Sequence, residues 1–156
     1  LSAIALAQLE NLEQIVEKRV TSANKFLQVI NECDFLKPQH VPDYSTNSYW
    51  ALGVVYEGQE KIGVSWEQFR REYINNGGDG IYGAWSVPYL EPLMSERSYV
   101  SRLPTLYENT SYAKGLCPVA EKIQSKMMVF KTNYRDVDLA TLKAAALQKT
   151  INKFKK

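Results

Sequence analysis

Leu1, Ala5, Leu9, Leu12, Val16, Ala23, Phe26, Leu27 and Ile30 recur at steps of three and four residues. That spacing lays an apolar stripe along one side of a helix. The opposite side carries Glu10, Glu13, Glu17, Lys18 and Arg19, so the opening segment reads as amphipathic. Unbroken to about Asn31, the helix would be roughly 45 Å long at 1.5 Å per residue. That is long for a chain of 156 residues, the size of one domain. It predicts a strut joining this domain to something else. Leu1 stands inside the pattern with no Ser, Thr, Asp or Asn before it to cap a helix start. The expectation is a further segment upstream.

The remaining elements follow from local chemistry. Residues 34–47 read as a loop, because Pro38 and Pro42 disfavour helix and central strand. Residues 48–57, SYWALGVVYE, are aromatic and β-branched, which predicts a strand, apolar on both faces and buried. GQEKIG reads as a turn. Ser65 and Gln68 form the S-x-x-Q capping box of a helix, with Val64 and Phe69 placed as a hydrophobic staple. Trp66, Phe69, Tyr73 and Ile74 supply its inward side, and Asn75–Asn76–Gly77–Gly78 ends it through left-handed conformations. Residues 91–116 have weak periodicity and read as mostly loop with room for one short helix; so long a loop is usually functional or interfacial. Pro118 suits a first helical position. The helix it opens would run through Phe130, with Val119, Ile123, Met127 and Phe130 inward. Asp136 or Asp138 caps a last helix bearing Leu139, Leu142, Ala146, Ile151 and Phe154 at helical spacing. The order predicts an α+β fold with a small sheet.

Composition narrows the classes. Hydrophobic residues make up 45% and charged residues 23%, ordinary for a globular chain. A net charge of +2 with mixed signs leaves no basic face for nucleic acid. No apolar run approaches the length that spans a bilayer, and no signal-peptide pattern is present. Cys33 and Cys117 make no disulfide framework, and with His40 they make no zinc set by spacing. The expectation is a reduced, cytoplasmic protein.

Chemistry-bearing patterns are few. His40, the sole histidine, lies in the proline loop, and no G-x-S-x-G elbow accompanies it. Asp79 and Glu91 flank an aromatic cluster and could serve as paired carboxylates, but Asp79 in GGDG is more often a turn residue. GGDGIYG lacks the spacing of either phosphate-binding glycine motif. No lysine sits in the apolar context that a Schiff-base lysine needs. The segment GGDGIYGAWSVPYLEP, residues 77–92, sets Tyr82, Trp85 and Tyr89 on a glycine-rich run. Those aromatics are either core or an apolar wall for a sugar or nucleotide ring.

LSAIALAQLENLEQIVEKR resembles the segment AA-x-G-L-x-Q-L-x-x-L-x-x-x-x-x-x-R of the DegT/DnrJ/EryC1/StrS family of sugar aminotransferases. Ala3, Leu6, Gln8, Leu9, Leu12 and Arg19 match, and Ala5 stands where the family often has glycine. GGDGIYGAWSVPYLEP resembles the family's G-I-x-T-x-x-H-Y-x-P-L-H-x-x-P region, with Ser86 and Val87 where many members have histidine and tyrosine. Residues 117–154 resemble its closing x-P-x-A-E segment and terminal helix, most specifically at Pro118–Glu121.

The resemblance implies the C-terminal small domain of a fold-type-I aminotransferase. Residues 1–33 would be the connecting helix, and residues 46–156 the small domain proper, a mostly antiparallel sheet flanked by helices. It implies a full-length enzyme that uses pyridoxal phosphate to move an amino group from an amino-acid donor to a keto-sugar, nucleotide-linked or a cyclitol. It also implies a homodimer, and an N-terminal cofactor domain, absent here, that carries the Schiff-base lysine. No cofactor is expected on this chain alone. Tyr82, Trp85, Ser86 and Tyr89 become the candidate substrate-binding residues, and no catalytic residue is expected. Asn133-Tyr134-Arg135 echoes the family's Asn-Tyr-Arg stretch in the wrong place. The competing expectation is a non-catalytic interaction or sugar-binding module that kept the fold.

Overall fold

The first helical stretch is two helices. A computed structural model, which describes residues 2–83, 86–97, 109 and 111–155, places α1 at Ser2–Glu10 and α2 at Leu12–Ile30. Asn11 interrupts them, where an unbroken helix was expected. Its side-chain amide donates to the Ala7 carbonyl at 2.8 Å, the local bond by which an Asn competes with helix hydrogen bonding. Ala23, Phe26 and Ile30 of α2 are buried, as the stripe predicts. No residue of α1 is buried, and its apolar residues surround the axis, so the amphipathic part is α2.

The chain forms two compact units, Leu1–Tyr82 with Met128–Lys156, and Gly83–Met127. A four-stranded sheet has the order β1-β2-β4-β3, built from β1 (Leu36–Pro38), β2 (Leu52–Tyr56), β3 (Tyr82–Gly83) and β4 (Met127–Phe130). β1 lies within the expected loop. It pairs antiparallel with β2, Leu36 opposite Tyr56 and Pro38 opposite Val54. An edge strand tolerates Pro38 because its missing N–H is not needed there. β2 is shorter than predicted and alternates: Leu52, Val54 and Tyr56 are buried, Gly53 and Val55 half-buried.

GQEKIG is a one-turn helix, α3 (Gly58–Ile62), closed by left-handed Gly63. A side chain at Gly58 would drive into the Tyr56 ring, 2.2 Å away. α4 (Trp66–Asn75) starts with the predicted capping box: Ser65 Oγ accepts from the Gln68 N–H and Gln68 Oε1 from the Ser65 N–H. It ends where predicted. Gly77 has φ 93°, its N–H bonds to the Ile74 carbonyl, and that of Gly78 to the Tyr73 carbonyl. This bond pair is a Schellman closure. Phe69 and Tyr73 face inward, but Ile74 is exposed.

The helix from Pro118 stops early. It becomes α6 (Pro118–Gln124), and Met127–Phe130 is strand β4. Met128 and Phe130 are buried on alternate positions and Met127 is half-buried, so sheet packing overrides the helical spacing that joined Met127 and Phe130 to Ile123. Val119 is exposed. The second unit also holds a 3₁₀ turn (Pro88–Leu90) and α5 (Pro92–Ser95), the short helix allowed for in the long loop. Residues 98–108 of that loop lie outside the described residues.

The last helix, α7 (Val137–Phe154), is capped by Asp136, whose carboxylate accepts from the Asp138 N–H at 2.9 Å. Its buried side is Ala140, Ala144, Leu147, Thr150 and Ile151; Leu139 and Leu142 face outward, contrary to expectation. α7 packs along α2, and small residues at Ser22, Ala23, Ala140 and Ala144 leave room for two backbones to approach. The core between helices and sheet is aromatic. Phe26 lies 5.5 Å from Phe130, Tyr73 6.0 Å from Phe130, and Tyr56 5.3 Å from Phe69, centroid to centroid. The predicted α+β class is the class observed.

Candidate functional site

Gly77–Ile81 is stitched down at successive points. The Lys143 ammonium donates to the Gly77 carbonyl at 2.8 Å and pairs with the Asp79 carboxylate at 3.2 Å. Tyr134 Oη donates to Asp79 Oδ2 at 2.6 Å, and Arg70 Nε donates to the Ile81 carbonyl at 3.0 Å. Burial by itself would raise the Asp79 carboxyl. The bonds from Tyr134 and Lys143 outweigh it and hold Asp79 below the usual carboxylate range. Tyr134 moves up, first through burial and then through its bond to ionised Asp79. Asp79 is therefore a fastener for the glycine turn.

Tyr82 follows at once, at the end of this sutured stretch and 64% exposed. It is not core. Trp85 lies outside the described residues. Ser86 and Tyr89 belong to the second unit, where Ser86 is exposed and Tyr89 half-buried. Tyr89 Oη donates to Glu121 Oε1 and accepts from the Cys117 N–H at 2.9 Å; Glu121 also accepts from the Gly115 N–H at 2.7 Å. The knot ties residues 115–117 to the 3₁₀ turn. The Tyr89 hydroxyl is pushed up to about 12, by desolvation first and by Glu121 second. The Glu121 carboxyl is held low, chiefly by the Tyr89 bond. Glu91 is exposed ahead of α5, and its side chain caps nothing.

Neither the donor to Asp79 nor the acceptor for Tyr89 was evident beforehand. Tyr134 sits in the Asn-Tyr-Arg echo and holds Asp79. Glu121 belongs to the Pro118–Glu121 stretch, the only advance signal that it mattered. His40 is exposed, Cys33 buried and Cys117 exposed. Among the described residues no group of three His, Cys, Asp or Glu side chains is placed to hold a metal ion, and no helix is long and apolar enough to cross a membrane.

An aldehyde cofactor held through a lysine needs that amine desolvated or set beside another cation. No described lysine is buried. Lys143 is paired with Asp79, Lys153 with Glu72, and Lys37 and Lys61 with Glu57. These residues do not fit that group.

No known protein family matches the chain in sequence, and no curated protein does. Among solved structures, it is similar to the X-ray structure of the aminotransferase from Psychrobacter cryohalolentis, with a TM-score of 0.72 and 18% identity. The match covers 97% of this chain and 38% of that one. The chain therefore has the fold of a part of that aminotransferase, spanning well under half its length.

Proposed function

We propose that this chain is the C-terminal small domain of a pyridoxal-phosphate-dependent aminotransferase of the DegT/DnrJ/EryC1/StrS kind, acting on a keto-sugar with an amino-acid donor. The observation that carries this reading is the fold likeness, which runs along nearly the whole chain yet occupies 38% of an aminotransferase. The motif resemblance at Gln8-Leu9 and Pro118–Glu121 supplies the family and the sugar substrate.

In this reading the cofactor, which carries the amino group between substrates, is bound by an N-terminal domain of the same cytoplasmic, homodimeric enzyme. This chain contributes substrate-side walls from Tyr82, Trp85, Ser86 and Tyr89. Arg70, Lys143 and Tyr134 fix the backbone that presents Tyr82. The Glu121 knot fixes Tyr89. Rigid supports of this kind orient a substrate without touching the reacting atoms.

The test joins this chain to the reading frame upstream of Leu1. The joined protein, given pyridoxal phosphate, glutamate and a nucleotide-linked keto-sugar, is expected to release the amino-sugar, and the 156-residue chain alone to release none. An upstream frame with no lysine-bearing cofactor domain would overturn the reading and favour the interaction or sugar-binding module.

A further inference from the structure

We draw no further inference here: the strongest candidate, the open cleft between α4 and the end of α7 lined by Gln68, Arg71, Lys153 and Phe154, has its cations answered from within the chain, Lys153 by Glu72 at 2.7 Å and Arg71 by Glu67 one turn back, so nothing in the structure shows what would occupy it.

Discussion

Ala23, Phe26 and Ile30 are buried, while Leu6, Leu9 and Leu12 are exposed. Both sets lie at helical spacing, the first within α2 and the second in α1 and the opening residue of α2. α7 and the sheet cover the first set; among the described residues the second stays exposed. The contrast teaches that periodicity establishes a helix and a shared side, and says nothing of whether a neighbour exists to cover it.

The comparison breaks most visibly at its buried end. Phe26→Ala removes a ring packed on Phe130 and Tyr134 and is expected to cost about 3–5 kcal/mol in urea unfolding. A loss under about 1 kcal/mol would mean that the α2 stripe is no better anchored than α1. Next in size is the polar fastener. Tyr134→Phe leaves the Asp79 carboxylate short of a donor and should cost about 1–3 kcal/mol. Asp79 also sets a pH dependence. Its folded-state pKa is depressed, so its contribution is fully present above the ordinary aspartate value of about 4 and is lost as pH falls through the folded value. Acid unfolding curves of the wild type and Asp79→Asn should therefore converge below about pH 4; parallel curves would refute the assignment.

Ser65→Ala tests a purely local device. Removing one side of the capping box should cost about 1 kcal/mol. The smallest effect is expected at the exposed end, where Leu6→Ser should change the stability of the isolated chain by no more than about 0.5 kcal/mol. A large loss there would show that α1 is already covered and would remove the contrast.

Parts of this architecture were legible because their causes are short-range. The Ser65–Gln68 box, the Gly77 closure and the Asp136 cap each join atoms within a few residues. β1 was not legible, because Leu36–Pro38 becomes a strand only by pairing with Val54–Tyr56 across an intervening loop. Met127–Phe130 reads equally well as the last turn of a helix, and only its place in the sheet separates the two. Leu139 and Leu142 drew the inward face of α7 to the wrong side, because the contact there is made by small residues such as Ala140 and Ala144. At the candidate site the aromatics stood out in sequence. Their supports did not: Tyr134 reaches Asp79 across 55 positions and Glu121 reaches Tyr89 across 32.

By itself the sequence determined both ends of α4, the starts of α6 and α7, the glycine turn and the α+β class, because backbone capping, left-handed glycines and side-chain period act over three to five residues. Tertiary structure alone decided which apolar side is core, which short run is strand, and which charged groups hold the Gly77–Ile81 segment. Those outcomes depend on surfaces and hydrogen-bond partners brought together from distant parts of the chain, and no local pattern encodes the identity of a distant neighbour.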